Sequence, residues 1–307
     1  LRGGNRLMRV AGAPAVLTID VHDRPHLSRN LDHLASALDE LGLKATLFVP
    51  AVLLENPSIL GPLVQLTQEG HELGCHGLTH AHDESFAHLP EQLQRRKLTT
   101  ATKIFEDQTG GPVHLFRAPA FRLSAATLRI LEELGYVADS SVPSTRLGIL
   151  SSDMWNVSCL FAPRKPYHPH VKSPFRKGSM SLLEIPMSCL LVPFSISFLQ
   201  VFGLRIMRMY LTALETESRQ NGKPIVYMAH VEDFYPSDHV EPRKKFSIKY
   251  FLPSRDHGIE ARYLLEERDM FKIYELNTRF CTELAASPSL SFSTMGQYVA
   301  RLGDQSA

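Results

Sequence analysis

The chain has 307 residues, 44% of them hydrophobic, enough apolar side chain for a large buried core in one domain or two. Its 33 Lys and Arg against 32 Asp and Glu leave a net charge of +1, which supplies none of the clustered basic field of a nucleic-acid binder and argues against that partner. Four cysteines (Cys75, Cys159, Cys189 and Cys281) form no Cys-x-x-Cys pair, so a disulfide scaffold and a zinc ribbon are both disfavoured and a reducing, cytoplasmic compartment fits.

Arg2, Arg6 and Arg9 precede an apolar run from Ala13 to Ile19 that is too short for a membrane span and lacks a signal-peptide cleavage pattern. Because the chain opens on Leu1, residues upstream of it are expected. Seven short apolar runs then read as strands: AVLTI before Asp20, ATLFV before Pro50, HELGC before His76, HLF before Arg117, YVA before Asp139, LLEI before Pro186 and PIVYMA before His230. Between the first two, Leu27, Leu31, Leu34, Leu38 and Leu41 form an amphipathic stripe closed by Gly42. Further helices are predicted over Ile59 to Glu69, Pro90 to Gln108 and Ser124 to Leu134, the last with Ser124 as N-cap and Gly135 as stop. Alternating strands and helices imply parallel βα units in a barrel-like or doubly wound sheet.

Two segments break the pattern. Pro143 to Met180 has no clean period and sets six basic residues against Asp153, reading as a long functional loop. Ile185 to Leu204 carries no charge over twenty residues, but Pro186, Pro193 and its strand-like start argue against a span. After His230 a polar stretch to Tyr250 leads to a helix expected around Ile259 to Tyr274 and a short terminal helix ending near Leu302. The expected organisation is an N-terminal extension (1–14), a catalytic barrel (15–235) with an insert at 143–180, and a C-terminal helical extension (236–307) packed on the barrel.

Asp20, His76, Arg117, Asp139 and His230 each immediately follow a predicted strand. In a parallel barrel such positions share one rim, where active sites are built. His76 and His80 have metal-ligand spacing, although His22 and His26 repeat it and fourteen histidines make such a pair expected by chance. Asp20-Val21-His22-Asp23 adds carboxylates and an imidazole, allowing one group to bind a metal while another acts as general base. Taken singly, either aspartate is equally an N-cap or turn residue.

These motifs resemble, in order, those of the NodB-homology polysaccharide deacetylases, carbohydrate esterase family four. Thr18-Ile19-Asp20 resembles the family's Thr-Phe-Asp-Asp, His76 to His80 its His-x-x-x-His, Arg117-Ala118-Pro119 its Arg-x-Pro, and His230 its late strand-end histidine. Phe116 to Phe121, Leu134-Gly135-Tyr136 through Asp139-Ser140-Ser141, and Leu183-Glu184-Ile185-Pro186 are similar to a branch known from exopolysaccharide loci and archaea. The resemblance runs from about Val16 to His230. It implies a distorted (β/α) barrel of about seven parallel strands that binds Zn²⁺ or a similar divalent ion and removes the N-acetyl group from an amino sugar. Carried over by position, it makes Asp20 the general base, His76 and His80 metal ligands, Arg117 the residue that holds Asp20, and His230 the general acid. Asp139 would orient His230 or contact substrate, and Pro119, Phe121 and Trp155 would line the sugar site.

Three positions depart from the family pattern. Val21 replaces the aspartate that is usually the third ligand, leaving His22 or Asp23. Strand alternation puts Asp20 and His22 on one side, whereas a turn after Val21 delivers Asp23; the family's usual hard carboxylate tips the expectation toward Asp23, with His22 the alternative. Phe121 stands where a glycine follows Arg-x-Pro-x, and Val231-Glu232-Asp233 where relatives often show Pro-Trp-Glu. The rival readings are an allantoinase-like hydrolase of a small amide and a degenerate member that binds sugar without hydrolysis. The basic insert, with Tyr167, His168 and His170, beside the apolar block from Leu190 to Phe202, also suits a polyprenyl-phosphate-linked sugar at the inner membrane face; the bland alternative is a core helix covering the barrel.

Overall fold

The computed structural model describes residues 12–81, 83–147, 157–240, 242, 245–251, 264 and 267–304. Strand β1 (Ala13–Asp20) is apolar on both faces, as a strand enclosed in a parallel sheet must be. It is followed by α1 (Leu27–Leu41), β2 (Ala45–Val49), α2 (Pro57–Gln68), β3 (Glu72–Cys75), α3 (Glu91–Thr109), β4 (Leu115–Phe116), α4 (Ala125–Glu133) and β5 (Ala138–Asp139). A hairpin of β6 (Pro169–His170) and β7 (Ser173–Lys177) precedes β8 (Leu183–Glu184), and a second small hairpin pairs β9 (Cys189–Leu190) with β10 (Val192–Pro193). Helix α5 (Ile196–Asn221), β11 (Ile225–His230), α6 (Met270–Ala285), β12 (Leu290–Phe292) and α7 (Met295–Asp304) complete the described chain.

The seven strands expected from the apolar runs form a parallel sheet in the order β11-β1-β2-β3-β4-β5-β8, and β12 adds a short parallel partner to the start of β1. The sheet curls into a distorted (β/α) half-barrel. Its edges β8 and β11 are joined through the intervening segment rather than by a ladder: Val226 N donates to Ser188 Oγ at 2.9 Å and Met228 N to Phe194 O at 3.3 Å. Alternation along β1 sorts the side chains. Val16 joins Phe48, Leu115, Ala138, Ile185 and Val226 inside the curl, while Leu17 and Ile19 pack in the larger core shared with the helices. Helix α7 closes the far end, adding Met295 and Tyr298 to the inner cluster, with Met295 N and Gly296 N donating to Thr46 Oγ1 and Glu72 Oε2.

The helical stripe of α1 buries Leu27, Leu31, Leu34 and Leu38, and Gly42 ends the helix at φ +61, a left-handed cap that glycine adopts freely. Ser124 caps α4 in a reciprocal capping box with Thr127. Three expectations are corrected. Helix α6 begins at Met270, capped by Asp269, and runs to Ala285 instead of ending at Tyr274; residues 259–263 lie outside the described set. The described part of the insert holds a 3-10 turn (Val157–Phe161) and the β6–β7 hairpin. The apolar block divides: Phe194, Ile196 and Leu199 enter the core, while Leu190, Leu191 and Phe202 stay exposed. Among the described residues no helix is long and apolar enough to cross a membrane.

One glycine ties this packing to the rim. A Cβ on Gly74 of β3 would stand 2.7 Å from Phe48 Cε1 and 3.2 Å from Leu115 Cβ. Phe48 in turn lies under the Arg117 guanidinium, 4.3 Å from ring centroid to Cζ. Gly74→Ala should therefore destabilise the protein by about 1–3 kcal/mol through overpacking, read as a lowered denaturation midpoint.

Candidate active site

The C-terminal ends of the strands bring Asp20, His76, Arg117 and His230 together, with Asp20 and His230 in register on adjacent strands. Arg117 has no exposed surface. Its Nη1 donates to Asp20 Oδ1 at 2.7 Å and to Thr18 Oγ1 at 3.0 Å, its Nε to Ser140 O at 3.0 Å and its Nη2 to Ser140 Oγ at 3.1 Å. Burial alone would raise the Asp20 carboxyl, but the charge of Arg117, then those of His76 and His230, more than offset it and hold the group well below the usual carboxylate range. Asp20 is thus an ionised carboxylate with Oδ2 left facing His76, 3.9 Å from its Nε2.

His22, His76 and His80 converge so that one nitrogen from each lies within 4.8 Å of the others. His76 Nδ1 is 2.8 Å from Arg117 O; a carbonyl can only accept, so this nitrogen carries the proton and Nε2 keeps its lone pair. Burial drives His76 down to about 3 and lowers His80 as well, so both rings are neutral near pH 7, the form a metal needs. Three converging imidazoles are a donor set suited to a divalent transition ion. His22 Nδ1 faces Glu232 Oε1 at 3.8 Å. Asp23 is exposed and is not part of this cluster. The reason is local: Val21 N still donates to Phe48 O at 2.9 Å, so the strand alternation persists one residue past Asp20 and delivers His22 to the rim.

His230 sits across the cluster, its ring 4.9 Å from that of His22. Burial would lower it, but the hydrogen bond and charge of Asp233, followed by Glu232 and Asp20, lift it to about 9, so the ring is protonated at neutral pH. Asp233 also accepts from His230 N at 2.7 Å, fixing both backbone and ring.

Two glutamates to which the sequence assigned no role carry parts of the site. Glu84, buried, accepts from Leu78 N, Thr79 N, Thr79 Oγ1 and His80 N at 2.7–2.8 Å, shaping the loop that joins the two histidines and holding His80 at φ +58. Its only signal is a carboxylate a few residues beyond a histidine pair. Glu184 pairs with Asp139 beneath Arg117. Asp139 is fully buried and absent from the cavity wall, and its contacts are Ser141 and Glu184, not His230; it lies level with Phe116, one residue short of Arg117. Pro119 is buried against Gly77, whereas Phe121 lines the cavity in the left-handed conformation at φ +58, where glycine is at home. Trp155 lies outside the described residues.

Residues 9–138 match the model of the family described as polysaccharide deacetylase. Among solved structures, one described as a polysaccharide deacetylase from Mycobacterium smegmatis is 18% identical over 96% of this chain and 92% of that one, with a TM-score of 0.57. The Puue allantoinase is 16% identical over 87% of this chain and 70% of that one (TM-score 0.53), and a 4-alpha-glucanotransferase from Thermococcus litoralis 13% over 94% and 40% (TM-score 0.59). No curated protein sequence matches the chain. Since a deacetylase, an allantoinase and a glucanotransferase share this fold, the chemistry has to be argued from the rim.

The Asp139–Glu184 pair makes a testable statement about stability. Asp139 Oδ2 and Glu184 Oε2 find no other hydrogen-bond donor, and burial followed by mutual repulsion raises Glu184 well above the usual carboxylate range. A raised carboxyl contributes stability that is complete below its unfolded value and is lost as pH rises through the folded one. Glu184→Gln, which supplies a fixed donor toward Asp139, should match or exceed the wild-type melting temperature at about pH 8, and the gap should close at about pH 4.

Proposed function

We propose, from the match of residues 9–138 to the polysaccharide deacetylase family, that the chain is a metal-dependent hydrolase removing the N-acetyl group from an amino sugar in a glycan or a lipid-linked glycan precursor. The observation that carries this reading is the placement of an ionised carboxylate, Asp20, and a protonated imidazole, His230, around the cluster of His22, His76 and His80. His22, His76 and His80 would hold the ion, best matched by Zn²⁺, which when bound supplies Lewis-acid polarisation of the acetyl carbonyl. Asp20 takes a proton from the attacking water at Oδ2, the oxygen that Arg117 leaves free, while Arg117 keeps the carboxylate charged and in place. As the carbon–nitrogen bond breaks, His230 gives its proton to the departing amine, and acetate and the free amino sugar leave. Glu232 behind His22 and Glu84 behind His80 orient the ligands. Four buried free cysteines support a reducing, cytoplasmic setting.

Purified protein should carry about one divalent ion per chain by elemental analysis, and His76→Ala should empty the site. Asp20→Asn should keep the ion yet lose about 10²–10⁴-fold in acetate release from chitooligosaccharides. Full metal occupancy in the first variant, or near-normal turnover in the second, contradicts the assignment. Turnover of allantoin without acetate release would favour the small-amide reading.

The His230 role fixes a pH dependence. A general acid works while protonated, so kcat/KM should hold up to and fall through about pH 9, the value to which His230 is lifted. Asp233→Asn removes the main raising influence and should move this alkaline limb to lower pH; an unmoved limb assigns it to another group.

A further inference from the structure

The cavity that contains His22 and His230 does not end at the polar residues. It holds about 1040 Å³, at the upper limit of the roughly 300–1,000 Å³ of ordinary small-molecule sites. One arm runs between the β9–β10 turn and the start of α5, where Leu147, Leu191, Val192, Phe198, Val201 and Phe202 line it. The charged residues of the wall are of both signs, Arg24, Arg146, Arg268 and His230 with Glu232, Asp233 and Glu267.

Leu191 is the informative residue. Its φ of +71 lies in the left-handed region, where leucine is disfavoured and glycine or asparagine is at home. It is also 53% exposed, so core packing does not account for a leucine at this turn either. Phe202 is 49% exposed at the opposite end of the arm, directly before Gly203, whose φ of +71 and ψ of 172 break α5 into two helical pieces. Two large apolar side chains are thus held uncovered in the lining of a cavity that also takes in His22 and His230.

We propose that this arm binds an apolar chain carried by the sugar substrate, the acetamide reacting beside His22 while the chain lies along Leu191, Val201 and Phe202. Because both ends belong to one cavity, the occupant is a single molecule, a sugar linked to a lipid. This rests on the deacetylase reading for the reacting group but not for the chain.

The test is calorimetric affinity of the metal-loaded protein for the methyl, butyl, hexyl and octyl glycosides of N-acetylglucosamine, below their micelle-forming concentrations, with acetate release followed in parallel. A fully buried methylene is worth about fourfold in affinity, so methyl to octyl should gain tenfold or more. Leu191→Gly and Phe202→Gln should each flatten the series, and Leu191→Gly should keep the wild-type melting temperature because glycine accepts that φ without strain. A wild-type series that is flat, or a slope that survives both substitutions, overturns the proposal. Acetate release with a flat series removes the chain site alone. A chain-dependent gain with no acetate release from any glycoside removes the deacetylase reading and leaves the chain site standing.

Discussion

The buried ion pair between Arg117 and Asp20 is the constraint on which the rest of the site depends. Arg117 reaches Thr18 and Asp20 on β1 and Ser140 after β5, lies on Phe48 of β2, and through its carbonyl orients His76 after β3. One side chain with no exposure thereby ties four strand ends to one another. Desolvating a guanidinium costs several kcal/mol, and only near-complete pairing makes such a residue tolerable; removing one partner of a buried pair typically costs about 3–5 kcal/mol. Lysine could not replace it, because a point charge lacks the planar fork that serves Thr18, Asp20 and Ser140 together. The group that fixes the Asp20 carboxylate is therefore also a structural centre of the open end of the barrel.

The backbone at the rim is held in shapes it would not choose. His26, His80, Ala120, Phe121, Thr145 and Leu191 all have positive φ without being glycine. His26, Ala120, Phe121 and Leu191 line the cavity, and His80 belongs to the imidazole cluster. Such conformations cost of order 1–3 kcal/mol each and persist where neighbours over-determine them. For His80 the determinant is visible: the Glu84 carboxylate gathers three successive backbone N–H groups. At the other end of the barrel, the first amides of α7 rest on Thr46 and Glu72 with no such outlier, so strain is concentrated where substrate would bind.

The seven strands were legible because a parallel strand buried on both faces reads as an uninterrupted apolar run, and the reactive residues follow those runs directly. β12 was not, since Leu290-Ser291-Phe292 is too short and too ordinary to stand out. His22 and Asp23 part for a reason in the backbone. Strand alternation, a geometric fact about the backbone, leads to His22; the preference for a hard ligand, a habit of related chains, leads to Asp23, which faces solvent. Glu84 escaped altogether, and Glu184 stood in the Leu183-Glu184-Ile185-Pro186 phrase without a role, for another reason: what each carboxylate does exists only once loops close around it, and neither spacing nor period encodes that.

The basic insert illustrates how a charge count can mislead when partners are distant in sequence. Arg164 spends its guanidinium on Glu217 of α5, at 2.6 Å through both Nε and Nη2, and on Thr145 and the Cys189 carbonyl. Lys223 Nζ meets the same Glu217 at 2.6 Å while almost wholly buried. Glu217 is consequently held down to about 2, since these hydrogen bonds and charges outweigh its burial. Of the six basic residues in the insert only Arg146 reaches the cavity wall, and Tyr167 is buried with its hydroxyl on Pro174 O. The insert is thus fastened to α5 by internal pairs, and an anionic ligand at the mouth would find little of its charge. What the same region does present to the cavity is apolar: the β9–β10 turn that Arg164 helps anchor carries Leu191 at its tip. Charge in the insert fixes the turn, and the turn sets an apolar surface in the cavity wall.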